Sequence, residues 1–222
     1  MSSFKIATQD YRYLLNKDYP QKALLKLIGD RYRLSKLERN CLFRGIVKNR
    51  KSESRQRKII SGKKVKNKSL GIDWYNILIT VESYFKGYPI FISDDNIVRD
   101  SSAIHGSYRI SKVTDRVISE ILNVLHLLNP ANIEVFLDSP ISHSGKMAEL
   151  LRQNMEKCFS FPFNIEVVPS ADYPLKNYKG IVSSSDSIIL EQAEKVFDLS
   201  RFVLKKCFNF NPPKIESVTI IQ

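Results

Sequence analysis

The sequence predicts an α/β protein in which helices flank a parallel sheet, preceded by a small basic helical domain. From residue 69 onward, short apolar runs alternate with amphipathic helical patterns, which favours parallel strands joined by right-handed crossovers. Residues 1–70 carry 20 Lys and Arg against 5 Asp and Glu, whereas residues 71–222 carry 15 against 18. We therefore expect a basic helical domain over residues 1–50, a basic linker over 51–68 and an α/β domain over 69–222.

The composition excludes several classes of protein. Apolar residues make up 43% of the chain, which is enough for a packed core. No apolar run approaches the roughly 18 residues of a membrane-spanning helix, and Met1-Ser2-Ser3-Phe4-Lys5 lacks the apolar block of a signal peptide. Cys41, Cys158 and Cys207 lie too far apart for a zinc knuckle or a disulfide framework. We expect a soluble, cytoplasmic protein.

The N-terminal part shows the spacing of three helices. The first is predicted from Ile6 to Asn16, and the second contains Ala23–Ile28, with Gly29 in a position that fits its end. Ser35 and Glu38 have the spacing of a capping box, which predicts the start of the third. This third helix is expected to bury Leu37, Cys41, Leu42 and Ile46 and to expose Arg39, Arg44 and Lys48.

The excess of positive charge predicts a polyanionic partner. The net charge is +12, and it is concentrated in residues 1–70. Residues 48–69 are rich in Lys, Arg and Ser, which predicts a mobile linker or a strand pair with a basic face. We expect Arg39, Arg44, Lys63, Lys64 and Lys66 to contact nucleic-acid phosphates, which supplies affinity without base specificity. Without an amphipathic anchor helix or a lipidation signal, a membrane is not the expected partner.

The α/β part opens with a short apolar strand, Leu70–Ile72, that ends in Asp73 and is followed by Asn76. The next run, Ile77–Val81, has the β-branched composition typical of strands. Gly87-Tyr88-Pro89 then predicts a turn into a hairpin whose own turn contains Asp94 and Asp95, either as turn residues or as metal ligands. The loop 101–107, with His105, is rich in hydroxyl groups that suit a phosphate.

The rest of the chain alternates strands and helices. A helix with apolar residues from Val113 to Leu128 carries Asp115 in its first turn, either as a favourable acid at a helix start or as a metal ligand. Three further strands follow, at Ile133–Leu137, Asn164–Val168 and Gly180–Val182.

Four acids follow predicted strands, at the edge where parallel sheets bind ligands: Asp73, Asp138, Asp172 and Asp186. Each acid alone is also a plausible cap or turn residue. Gathered carboxylates repel one another unless a cation neutralises them, and oxygen-only ligands suit Mg²⁺ or Mn²⁺. The pattern therefore predicts a metal site that acts on phosphodiesters.

Residues 69 to 198 resemble a PIN-like nuclease domain of the NYN group. Asp73-Trp74-Tyr75-Asn76 resembles the D-x-x-N that follows its first strand, Ile133–Leu137 resembles its central strand, and Ile181–Asp186 resembles its apolar strand followed by S-x-D. The resemblance implies a Rossmann-like, PIN-like sheet and a metal site of Asp73, Asn76 and Asp186. The chain departs from the pattern at the middle acidic pair, where it has only Asp172.

The resemblance implies a metal-dependent nuclease, with RNA expected rather than DNA. Asp73 and Asp186 would ligate the metal and Asp138 or Asp115 would replace the missing acid, while Asn76 and the serines Ser183, Ser184 and Ser185 would contact substrate. The alternative is a non-catalytic RNA-binding or ribonucleoprotein module on a degenerate nuclease fold.

The N-terminal part resembles a mainly archaeal family known as domain of unknown function 434. The matching stretches are Asp10–Leu15 and Asp30–Ser35, with Arg39-Asn40 and Arg44 further on. This resemblance identifies relatives of the chain but implies no activity.

Overall fold

A computed structural model describes residues 3–102 and 108–218. The chain divides into two compact units. The first contains the described parts of Met1–Arg57, Ser83–Ala103 and Pro212–Gln222, and the second contains those of Lys58–Glu82 and Ile104–Asn211.

The helices and strands follow one another as the alternating pattern predicts. The helices are α1 (Ser3–Asn16), α2 (Gln21–Arg31), α3 (Lys36–Gly45), α4 (Asn49–Gln56), α5 (Trp74–Phe85), α6 (Thr114–Leu128), α7 (Ser144–Cys158), α8 (Asp172–Lys176), α9 (Ser187–Gln192) and α10 (Leu199–Phe208). The strands are β1 (Ser69–Asp73), β2 (Ile90–Ile92), β3 (Val98–Asp100), β4 (Asn132–Asp138), β5 (Phe163–Val168), β6 (Ile181–Ser183) and β7 (Lys195–Val196).

The first unit packs its N-terminal helices around one apolar cluster. The cluster contains Phe4, Ala7, Tyr11, Leu15, Leu24, Ile28, Leu34, Cys41, Leu42, Ile46, Phe91 and Ile215. The predicted capping box is confirmed, because Ser35 accepts from the Glu38 amide while the Glu38 carboxylate accepts from the Ser35 amide. Gly29 does not end α2. It lies inside the helix, where the absence of a side chain leaves room for the Arg39 guanidinium, 2.0 Å from the position that a Cβ would occupy.

Part of the segment expected to be a linker is regular structure. Helix α4 runs to Gln56, a short 3-10 turn covers Gly62–Lys64, and Ile59 forms a β-bridge with Val196. Arg55 is buried within α4, where it forms an ion pair with Asp95. The sequence hides this order because the partner of Arg55 lies 40 residues away along the chain.

The predicted hairpin is confirmed, whereas the strand predicted before it, at Ile77–Val81, is wrong. Strands β2 and β3 pair antiparallel within the first unit. Residues Ile77–Val81 lie in α5 instead, where most of their side chains are buried. A helix buried all round loses its polar face, and its composition then resembles that of a buried strand.

The second unit contains a five-stranded parallel sheet in the order β5-β4-β1-β6-β7, with helices between its strands. Strand β1 is central, pairing with β4 on one side and with β6 on the other. The strands predicted around Leu70, Ile133, Ile165 and Ile181 are all present, while the two-residue β7 was not predicted. The α/β fold with a parallel sheet and an N-terminal helical region is therefore confirmed.

Candidate active site at the carboxyl edge of the sheet

The strand order creates a crevice between β1 and β6. From β1 the chain first builds β4 and β5 on one side, and then crosses to build β6 and β7 on the other. Parallel sheets bind ligands at such a reversal, outside the carboxyl ends of the strands. Asp73 ends β1 and Ser183 ends β6, so the residues that follow both strands lie at this position.

Asp73 is the acid at the centre of the crevice. Its side chain is nearly buried, with the residue 4% exposed. Its Oδ2 accepts a hydrogen bond from the Ser184 hydroxyl at 2.8 Å, and its Oδ1 lies 3.4 Å from the donating amide of Asn76. The second contact places the carboxylate over the first turn of α5, where the helix dipole favours negative charge. Trp74, the next residue, is fully buried.

Asn76 and the serine loop join the two strand ends. The Asn76 Oδ1 accepts hydrogen bonds from both the amide and the hydroxyl of Ser185, each at 2.9 Å. The Ser184 hydroxyl, which donates to Asp73, also accepts from the Asp186 amide at 2.9 Å. The predicted residues Asp73, Asn76, Ser184, Ser185 and Asp186 therefore form one hydrogen-bonded cluster, called here the crevice cluster.

Asp186 caps helix α9 from within this cluster. Its Oδ1 accepts from the amides of Ile188, at 2.7 Å, and Ile189, at 3.4 Å. The residue is partly exposed, and its Oδ2 has no hydrogen-bond partner among the residues that the structure describes. This oxygen is available to water, a cation or substrate. Ser183, by contrast, donates its hydroxyl to the Phe197 carbonyl at 2.9 Å within the sheet.

The other predicted acids have other partners. Asp138, at the end of β4, accepts the amide hydrogen of Ala171 at 2.9 Å. Burial raises the pKa of Tyr75 to about 12, and the negative charge of Asp138 adds to that rise. Asp172 lies in the first turn of α8, and Asp115 is an exposed residue in the first turn of α6.

The four acids do not form one metal cage. Over residues 3–102 and 108–218 no group of three or more His, Cys, Asp or Glu side chains is placed to hold a metal ion. The sequence predicts the shared edge correctly, but the carboxylates of Asp73, Asp138 and Asp186 accept from three different backbone amides, those of Asn76, Ala171 and Ile188. Mg²⁺ commonly takes only one or two carboxylates and completes its shell with water and substrate phosphate. Asp73 and Asp186 both bond to the Ser184 hydroxyl, Asp73 through its carboxylate and Asp186 through its backbone amide.

The acids of the hairpin turn are bonded to arginines within the first unit. Asp94 accepts two hydrogen bonds from Arg12, and the fully buried Asp95 pairs with Arg55 and Arg99. Both acids belong to the first unit and neutralise arginines there. Residues 103–107 of the predicted phosphate-binding loop, His105 among them, lie outside the described residues.

Two of the side chains predicted to contact nucleic-acid phosphates, Arg39 and Arg44, are bonded to acceptors within the protein. Arg39 bonds to Asp30 and to the carbonyls of Leu34 and Leu25, and Arg44 pairs with the buried Asp100. These contacts use the guanidinium groups to join elements of the first unit. Sequence reasoning could not anticipate the Arg44 pair, because Asp100 lies 56 residues away.

The predicted lysines Lys63, Lys64 and Lys66 lie at the other edge of the sheet. They precede β1 in the chain and line a cleft beside Ser69, the first residue of the strand that Asp73 ends. Lys179 and Lys195, which sequence reasoning missed, line the same cleft. Lys179 lies two residues before β6 and Lys195 begins β7, and a lysine at the start of a strand is the signal that could have identified both.

None of the helices in the described ranges is long and apolar enough to cross a membrane.

Comparison with known proteins gives two family matches and one relative. A family model described as "Domain of unknown function (DUF5616)" matches residues 62–202, and one described as "Protein of unknown function (DUF434)" matches residues 3–58. The second match confirms the resemblance expected for the N-terminal part. The uncharacterized protein MJ0935 of Methanocaldococcus jannaschii is 35% identical over 199 residues, which cover 89% of this chain and 94% of the relative. No solved structure matches the chain.

Proposed function

The chain belongs to the family described as Domain of unknown function (DUF5616), and we propose that it is a metal-dependent nuclease of the PIN-like type, acting on RNA rather than DNA. The observation that carries the proposal is the crevice cluster, in which the nearly buried Asp73 meets Ser184 at the reversal of strand order. A carboxylate held at that position is suited to orient a cation or a water molecule against a bound phosphate.

Asp73 and Asp186 are the residues that would hold Mg²⁺ or Mn²⁺, together with phosphate oxygens of the substrate. When bound, such an ion supplies an activated water and stabilises the oxygen that leaves the phosphorus. The chain itself orients Asp73 through the Ser184 hydroxyl and the Asn76 amide. Because Asn76 also holds Ser185, the loop after β6 keeps a fixed position relative to the end of β1.

A second candidate is a non-catalytic RNA-binding module. The observation that favours it is that both carboxylates already serve as helix caps, Asp73 for α5 and Asp186 for α9. A cap stabilises a protein by about 1 kcal/mol without any catalytic role. The two candidates share a bound RNA strand and differ in turnover.

A cleavage assay separates the two candidates. Fluorescent single-stranded RNA and DNA of equal sequence are incubated with the full chain, with Mg²⁺, Mn²⁺ or a chelator. We expect RNA cleavage that requires the metal and falls by at least about 100-fold in Asp73→Asn, in line with the loss of a group that stabilises the transition state. Asp186→Asn retains the cap, because Asn is an equally good capping residue, and is expected to lose cleavage as well.

The matched control is Glu149→Gln, which removes one negative charge from an exposed position on α7. It is expected to cleave at the wild-type rate. If the wild-type chain binds RNA and leaves it intact with both metals, the nuclease is excluded and the binding module remains. Cleavage that survives in Asp73→Asn would also remove the crevice cluster from the reaction.

A further inference from the structure

A cleft of about 630 Å³ opens at the amino edge of the parallel sheet. It lies beside Ser69, Gly180 and Ile181, which are residues at the starts of β1 and β6. Six lysines line it: Lys63, Lys64, Lys66, Lys68, Lys179 and Lys195. We call it the lysine cleft.

The lysines of this cleft carry an uncompensated charge. All six are exposed, and none has an ion pair with an acid in the part of the chain that the structure describes. One acid, Glu194, also lines the cleft. Six like charges around one opening attract a ligand that brings several negative charges at regular spacing.

The topology brings these lysines together from distant parts of the sequence. Lys63 to Lys68 lead into β1, Lys179 precedes β6 and Lys195 begins β7. Because neighbouring parallel strands begin at the same edge, a lysine at each start adds to one row of charge. The row follows the edge across β1, β6 and β7.

Aromatic rings lie at the β5 end of the same edge. Phe161 stacks on Phe159 with ring centroids 4.6 Å apart, and Phe163, the first residue of β5, meets Phe159 edge-on at 6.4 Å. The exposed His126 lies parallel to Phe159 at 6.4 Å. The three phenylalanines are only partly buried. Strand β5 is two strands from β1, so these rings start about 10 Å from the lysines.

We propose that the amino edge of the sheet binds a single strand of nucleic acid, with phosphates in the lysine cleft and bases stacked on the Phe159–Phe161–Phe163 cluster. A groove of cations beside aromatic rings is the combination that binds single strands with little sequence preference. A duplex keeps its bases stacked inside and cannot use the rings. The inference rests on the proposed function for the identity of the polymer as RNA, and it names the surface and the strandedness.

The distance between the two edges sets a minimum substrate length. Strand β1 has five residues, which span roughly 16 Å at about 3.3 Å per residue. A strand with one phosphate in the lysine cleft and another at Asp73 therefore needs at least about five nucleotides at a stacked spacing of about 3.4 Å. Oligonucleotides shorter than this contact one edge only, so they are expected to bind more weakly than strands long enough to reach both edges.

Binding of a 20-nucleotide single-stranded RNA to the full chain, followed by fluorescence anisotropy over a range of salt concentrations, tests the lysines. Lys63→Gln/Lys64→Gln/Lys66→Gln is expected to reduce the slope of log affinity against log salt by about 2, at about 0.7 per phosphate contact. The matched control Lys22→Gln/Lys26→Gln/Lys36→Gln removes three exposed lysines of the first unit and is expected to keep the wild-type slope.

The aromatic part is tested with Phe161→Leu, which keeps an apolar side chain, and Phe161→Tyr, which keeps a ring. Losing one stacked base corresponds to a fall in affinity of roughly 5- to 150-fold. We expect that fall in Phe161→Leu, wild-type affinity in Phe161→Tyr, and weaker binding of duplex RNA throughout. Equal affinity for duplex and single strand, or an unchanged Phe161→Leu, would overturn the stacking surface.

The outcomes also separate this inference from the proposed function. An unchanged slope in the cleft variant would overturn the cleft, even where cleavage is normal. An inactive wild-type chain whose binding depends on the cleft lysines would overturn the nuclease and support the cleft. Circular dichroism of each variant establishes that it is folded before its affinity is compared.

Discussion

The cations of the first unit and the lysines of the lysine cleft differ in their surroundings, although most of both sets come from the same basic stretch of sequence. In the first unit five cations face carboxylates in the ion pairs Arg12–Asp94, Arg39–Asp30, Arg44–Asp100, Lys48–Asp18 and Arg55–Asp95. In the second unit the cleft lysines face solvent and one another. The first set is dominated by arginine and the second contains only lysine.

The difference teaches that net charge alone does not locate a polyanion site. A planar guanidinium makes several directed bonds at once, which suits it to joining elements within a fold. A lysine ammonium on a flexible stem remains hydrated and interacts as a point charge, which suits a mobile phosphate chain. The basic side chains of residues 1–70 thus form two groups, and only the lysines from Lys63 to Lys68 belong to the proposed RNA surface.

The largest effect is expected from Asp95→Ala in the first unit. Asp95 is fully buried between Arg55 and Arg99, each only 4% exposed, and its removal takes away a carboxylate that two buried cations share. Removing one partner of a buried ion pair commonly costs about 3–5 kcal/mol. Urea unfolding is expected to show a loss of this size. In contrast, Asp18→Asn removes an exposed partner of Lys48 and is expected to keep the wild-type midpoint.

The same carboxylate predicts an acid dependence. Burial by itself raises the pKa of Asp95, but the charge and hydrogen bonds of Arg99, with those of Ser93 and Arg55, outweigh it and hold this pKa below its ordinary value. A lowered pKa stabilises the fold fully above the unfolded pKa of about 3.9, and the contribution decreases as the pH falls below that value. Asp95→Asn should therefore show a flatter decline in stability between about pH 4 and pH 2.

A smaller effect is expected from Arg39, which was predicted to contact RNA. Its guanidinium donates to the Leu34 carbonyl at 3.0 Å, to the Leu25 carbonyl at 3.4 Å and to Asp30 at 2.9 Å. Arg39→Met is expected to lower the free energy of unfolding by about 1–3 kcal/mol, because backbone acceptors lose their donor. Arg39→Lys is expected to lose stability too, since an ammonium cannot make the same three bonds.

RNA affinity and its salt slope decide whether Arg39 belongs with the paired cations. Both are expected to match the wild-type values in Arg39→Met, measured where the variant is folded. An affinity that falls while the unfolding curve stays in place would move Arg39 into the RNA surface and remove the contrast between the two units.

The parts of the fold that the sequence predicts are those set by local patterns. Strand β1 was predicted because a charge run stops at Leu70 and an apolar run follows, and α3 because Ser35 and Glu38 form their box within four residues. Helix α5 was misread at Ile77–Val81, because burial on all sides removes the polar face that distinguishes a helix. Pairs such as Arg44–Asp100 depend on contacts distant in sequence, which no local pattern reveals.

The candidate site was likewise predicted only in part. Asp73, Asn76 and Asp186 were predicted to lie together from strand ends and from the resemblance, and the structure brings them together through Ser184 and Ser185. A shared edge does not imply a shared metal, however. Asp138 and Asp172 follow strands on one side of β1, whereas Asp186 follows β6 on the other, and the strand order that separates them is a property of the whole chain.

The smallest effect on stability is expected from the lysine cleft itself. Lys63→Gln/Lys64→Gln/Lys66→Gln removes exposed charges without ion-pair partners among the described residues, so its free energy of unfolding is expected to stay within about 0.5 kcal/mol of wild type. Any change should be a gain, because fewer like charges repel one another across the cleft. That gain should shrink as salt rises, since the screening length falls to about 10 Å at 0.1 M. Urea unfolding at two salt concentrations measures both quantities. A clear loss of stability would mean that these lysines hold the fold as the arginines do, and their effect on RNA affinity would then follow from unfolding rather than from lost phosphate contacts.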